Sequence, residues 1–169
     1  MSDTLTKLNK MSRYGGWAMK VALAVMIVAA TAAPIALAAT YAFPDILNDI
    51  DPPVVIGELR ATLAALTAAA VIGAAISYYI VRMFENIRRH NTPFREEVVE
   101  DLRLVAKLLI VFTFAVPIVG WIAAWLADVS AESIFEFNLL TLFAAFLVYL
   151  LSLIFSYGTE LQKEADETL

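Results

Sequence analysis

The chain carries one histidine, His90, and no cysteine among its 169 residues. Any chemistry must therefore come from carboxylates, hydroxyls, amides and this one imidazole. Four carboxylates, Glu96, Glu97, Glu100 and Asp101, follow His90 on adjacent helical turns. Together they hold the parts of an acid–base site, or of a patch for a cation or a basic protein. The simpler reading is a solvated imidazole at a tip and a solvated helix face, whose Glu97–Asp101 repulsion is offset by Arg95 and Arg103. A second acidic group, Asp45, Asp49, Asp51 and Glu58 beside Arg60, reads as an ion-binding mouth or, more simply, as an interfacial anchor or a local pair. Asn138 and Thr141 lie about one turn apart and form the remaining polar pair of interest. There is no G-x-S-x-G, no H-E-x-x-H and no glycine-rich phosphate loop. Without cysteine there is no disulfide, thiol redox chemistry or thiolate metal site. One histidine excludes a bis-histidine haem within one chain. The expectation is a protein that is not an enzyme, with no catalytic, cofactor or metal residues.

The elements that position these groups are membrane spans. Of the residues, 61% are hydrophobic and 17% charged, with a mean hydropathy of +0.75. A soluble domain is nearer 45–50% apolar and about 25% charged. Ala61 to Val81 is 21 residues without a charge, roughly 30 Å of helix at about 1.5 Å per residue, the thickness of a bilayer core. Small residues recur there at every fourth position: Ala61, Ala65, Ala69, Gly73 and Ser77. Of these, Ala65, Ala69, Gly73 and Ser77 are the expected helix-packing face. A run from Val21 to Pro44 reads as a first span, too long for the apolar region of a signal peptide. Pro34 is expected to kink it, and Ala32, Ala36 and Thr40 give it a small face. Leu108 to Ala127, with Pro117 at its centre, forms a third span. Phe137 to Thr159 forms a fourth, with seven leucines and four phenylalanines but two alanines. Close packing is therefore expected between the first two helices, with the bulky side chains of the last two filling space or facing lipid.

The fold class is all-α: a single four-helix transmembrane domain over 1–169, with helices at about 17–43, 57–88, 93–127 and 134–158. Thr92 is the expected N-cap and Pro93 the first residue of the third helix. A hairpin at 82–107 and a tail at 158–169 leave the membrane. Eleven of the 12 basic residues fall on that side, and only Arg60, with seven acids, falls on the other. By the positive-inside rule both termini are cytoplasmic. No ionisable residue lies within the four apolar blocks, where transport proteins commonly keep one. The net charge of −5 argues against direct nucleic acid binding.

Two stretches carry a family resemblance: TPFREEVVEDLRLVAKLL at 92–109 and YGTELQKEADETL at 157–169. With the four-helix layout they resemble bacterial domain-of-unknown-function family 2975. In that family a Pro-Phe pair introduces a helix bearing Leu-Arg, here Pro93, Phe94, Leu102 and Arg103. A Gly-x-x-Leu-x-x-Glu-x-(Asp/Glu)-x-Thr tail closes the chain, here Gly158, Leu161, Glu164, Asp166 and Thr168. The resemblance implies a bacterial inner-membrane protein with no assigned reaction, and a small helix-turn-helix regulator as its cytoplasmic protein partner. These nine residues are the candidate partner-docking set, and the leading reading is a regulatory or scaffolding role. The alternative is a small-molecule transporter or channel subunit gated at Pro34 and Pro117. A homo-oligomer is expected from the small helix faces, and the bilayer itself is the remaining partner.

Overall fold

The computed structural model describes residues 2–43, 53–90, 92–129 and 138–167, with side chains from residue 13 onward except those of 53, 54 and 166. They form four helices: α1 Ser2–Ala42, α2 Pro53–His90, α3 Glu96–Leu126 and α4 Leu139–Glu167. There is no strand among the described residues. All four are long and apolar enough to cross a membrane. The chain is a multi-pass membrane protein.

The helix ends differ from the sequence expectation in several places, and α2, for one, begins at Pro53 rather than near residue 57. α1 begins at Ser2 rather than near residue 17, so the basic leader continues the first span. α3 begins at Glu96, not at Pro93. Arg95 supplies the carbonyl that caps its first turn, accepting from Val98 and Val99 at 3.1 Å. The Thr92 hydroxyl instead accepts from the Phe94 amide at 3.2 Å, a local turn before the helix. The tail is not separate: α4 runs through Gly158 to Glu167. The acidic loop residues Asp45, Asp49, Asp51, Glu132 and Glu136 lie outside the described residues, as does Thr168.

The chain divides into two compact units. The first comprises residues 1–23, 75–110 and 140–169; the second comprises 24–74 and 111–139. In the second unit most buried side chains are small, among them Ala33, Ala61, Ala70, Thr113 and Ala124, with Ile56 and Pro117 the larger ones. On α1 the inward stripe is Met26, Ala33 and Thr40, seven residues apart; Ala32 and Ala36 are exposed. This corrects the expected 32-36-40 face. The phase is set by two contacts: Met26 Sδ lies 3.1 Å from where a Cβ on Gly73 would sit, and Thr40 is gripped by Arg60. On α2 every residue of the every-fourth row is buried or half-buried. Each step of four advances about 40° around a helix of 3.6 residues per turn. Ala61 and Ser77 are buried, in different units, while Ala65, Ala69 and Gly73 between them are half-buried.

Arg60 closes the end of α1. Its Nη2 donates to the Thr40 carbonyl at 2.6 Å, its Nε donates to Thr40 Oγ1 at 3.2 Å, and its guanidinium stacks on Tyr41 at 4.2 Å. Thr40 is in the last turn, where carbonyls lack helical partners and a cation is favourable. The described partners of Arg60 are thus Thr40 and the Tyr41 ring. α3 ends in a Schellman motif: Val129 N–H donates to the Ala124 carbonyl at 3.1 Å and Asp128 N–H to Trp125 at 3.3 Å. Asp128 adopts φ 53°, the left-handed conformation this motif needs. Gly57 accommodates this end, because a Cβ there would stand 2.5 Å from Val129 Cγ1.

α4 buries Ala145, Ser152 and Thr159, again seven apart, whereas Leu139, Leu140, Phe143 and Ile154 are exposed. Many bulky residues of the last two helices are therefore exposed, and small buried residues occur on all four helices. Replacing Arg60 by Ala should lower stability in detergent micelles by about 1–2 kcal/mol, the scale of a charged hydrogen bond at a helix end, with Lys restoring part. An unchanged thermal midpoint for the Ala variant would remove Arg60 as a cap.

Candidate functional site

Within the first unit, the end of α2, the start of α3 and the second half of α4 form one packed assembly. Its apolar centre is Ile87, Val98 and Leu102, with Met83, Val148 and Phe155 against it. These positions follow from helical spacing on each element.

Asp101 lies inside this assembly with no exposed side-chain surface. Arg82 clamps it, with Nε at 2.9 and 3.1 Å from the two carboxylate oxygens and Nη2 also on Oδ1. The Arg82 guanidinium also approaches the Tyr79 ring at 5.1 Å. Removing a carboxylate from water costs several kcal/mol unless a cation and hydrogen bonds replace the hydration. The clamp supplies both. Asp101 is thus not part of a solvated face, nor of a free acidic patch. Glu96 pairs instead with Lys163 on α4, and Glu97 and Glu100 are exposed. His90 is exposed, and its Nδ1 accepts from Arg95 Nη1 at 2.5 Å.

The two sequence motifs meet each other. Phe94 stacks edge-on against Phe155, with ring centroids 5.7 Å apart. A Cβ on Gly158 would lie 2.5 Å from Phe94 Cδ1 and 2.7 Å from Cε1. Gly158 is therefore the residue that lets the Phe94 ring lie on α4. Arg103 Nη2 reaches Ser156 Oγ at 3.5 Å. Of the candidate docking set, Leu102 is buried in the core, Pro93 is half-buried, and Phe94, Arg103 and Gly158 are engaged within the chain. Leu161 and Glu164 are exposed, and Asp166 lies in the last turn of α4. Between α3 and α4 run two adjoining grooves, of about 410 and 280 Å³, and the Glu96–Lys163 pair lines both. Glu97, Glu100, Glu160 and Gln162 line their walls.

The sequence matches the family described as "Protein of unknown function (DUF2975)" over residues 26–169. The chain belongs to this family. Neither the curated proteins nor the solved structures contain a significant match. The match spans the hairpin, its clamp and the α4 extension, so the assembly described above lies within the DUF2975 region. Sequence reasoning missed the Arg82–Asp101 clamp, although the signal was present. Asp101 falls at the edge of the arc of Val98, Leu102 and Val105, the apolar face of its own helix.

Two outcomes test this assembly. Asp101→Asn should cost about 2–3 kcal/mol in detergent, below the full penalty for a broken buried pair because Arg82 remains partly exposed; Arg82→Met with Asp101→Leu should recover part of it. Gly158→Ala should be neutral or destabilising alone, because displacement of Phe94 offsets a helix-propensity gain of about 1 kcal/mol. In a Phe94→Ala background the same change should stabilise, and a double-mutant cycle showing no coupling would contradict the contact.

Proposed function

We propose that this DUF2975 protein is a non-enzymatic regulatory or scaffolding protein of the bacterial inner membrane, with both termini in the cytoplasm. The 11-to-1 distribution of basic residues supports the orientation. The observation that carries the reading is the fastening of the hairpin to α4: Phe94 on Gly158, Glu96 on Lys163 and the Arg82–Asp101 clamp make two distant stretches into one preformed surface. A preformed surface binds without the ordering cost that a loose tail would meet.

The polar character of that surface suits a protein partner. Glu96, Glu97, Glu100 and Glu160 line the grooves with Arg95, Arg103 and Lys163, and the last turns of α4 add the exposed Glu164 and Glu167. This chemistry complements a basic partner surface. A small helix-turn-helix regulator, which the family resemblance implies, has such a surface because it must face phosphates. Holding it at the membrane would keep it from DNA.

The test uses native membranes carrying the full chain, a chain lacking residues 159–169, and a Glu97→Lys, Glu160→Lys, Leu161→Ser variant. Crosslinking should capture a soluble regulator with the full chain and lose it by tenfold or more with both variants. Equal capture by all three would overturn the docking surface. A discrete homo-oligomer with no soluble partner would favour the channel reading instead.

A further inference from the structure

A groove of about 510 Å³ lies between the N-terminal part of α1 and the last turns of α2, all within the first unit. Gly16 is buried on its floor, and a Cβ on Gly15 would stand 3.0 Å from Phe84 Cζ. The paired glycines thus seat α1 on the Phe84 ring. The walls carry three cations, Arg13, Lys20 and Arg88, and one carboxylate, Glu85. Lys20 Nζ meets Glu85 Oε1 at 2.7 Å. Arg13 and Arg88 enter no ion pair or hydrogen bond among the described residues. Tyr14 and Trp17 also line the groove, 66% and 69% exposed.

The arrangement is two-ended. Two guanidiniums, neither in an ion pair among the described residues although Arg88 lies in the field of Glu85, line a groove with aromatic rings where α1 passes into its apolar run at Val21. A soluble anion would satisfy the cations and leave the rings in water. A neutral lipid would cover the rings and leave the guanidiniums unanswered. An occupant with a negative head and an apolar body satisfies both, and basic pockets beside membrane helices hold such headgroups. Tryptophan and tyrosine favour this depth of the bilayer.

We propose that this groove is a binding site for an anionic phospholipid. Arg13 and Arg88 hold the phosphodiester, in bidentate geometry available to guanidinium. Trp17 and Tyr14 lie along the glycerol and first methylenes. Glu85 fixes Lys20 as a wall and keeps it off the phosphate. The site requires only that the helices span a bilayer and is independent of the docking surface.

The full chain in neutral detergent is titrated with short-chain phosphatidylglycerol, phosphatidylcholine, glycerophosphate and inorganic phosphate, followed by native mass spectrometry and thermal midpoint. Phosphatidylglycerol should bind at least about tenfold more tightly than phosphatidylcholine and raise the midpoint, while the two soluble phosphates should do neither. Arg13→Gln with Arg88→Gln should abolish the preference; Arg89→Gln, on the same helix but outside the groove, should keep it. Arg13→Lys with Arg88→Lys checks that the paired change has not unfolded the helix end and should retain part of the preference. Equal binding of the two lipids, or a preference that survives the double Gln variant, overturns the proposal. An equal response to glycerophosphate or inorganic phosphate would replace the lipid with a soluble phosphate.

Discussion

A carboxylate with no exposed surface needs a cation within reach, and Asp101 has Arg82. This requirement organises the first unit. Arg82 is near the end of α2 and Asp101 is near the start of α3, so their pairing draws the two arms of the hairpin together. With the arms fixed, Val98 and Leu102 meet Ile87 and Met83 as one apolar centre. α4 then has a surface on which Phe155 and Gly158 can lie. A hydrophobic pair at the same place would hold the arms with less directionality, since apolar contacts have no preferred angle. The bidentate clamp sets register as well as proximity.

Elsewhere the packing is governed by lipid. Helices in a bilayer gain nothing by hiding leucine from hydrocarbon, so they associate through close backbone approach. That explains why Ala33, Ala70, Ala124, Ala145 and Ser152 are buried while Trp125, Leu126 and Leu140 are exposed. It also explains why the helix ends carry the polar contacts. Arg60 on Thr40 and the Schellman turn at Asp128 satisfy carbonyls and amides that the helices leave over.

The family motifs acquire a physical meaning in this arrangement. Phe94 and Gly158 are distant in sequence and in contact in the fold, so the first half of each motif serves the joint between hairpin and α4. The outward remainder, Leu161 and Glu164 with the groove carboxylates, is what a partner would meet. The basic groove beneath Arg13 and Arg88 has the opposite sign and an aromatic lining, which suits the membrane surface rather than a basic protein.

Much of the fold was legible in the residues alone. Four uncharged runs of span length, separated by polar segments, determine four membrane helices, because backbone in hydrocarbon has few other ways to satisfy its hydrogen bonds. Family membership was legible from Pro93, Phe94, Gly158 and Leu161. Helix phase was not: Ala32, Ala36, Ala33 and Thr40 are all small, and only contacts with Met26–Gly73 and Arg60 decide which of them turn inward. The burial of Asp101 was not read either, because its partner lies 19 residues away on another helix. Local pattern determines which segments are helices and which ends are wet. Tertiary structure decides which charges are removed from water, since that depends on a neighbour brought near only by the fold.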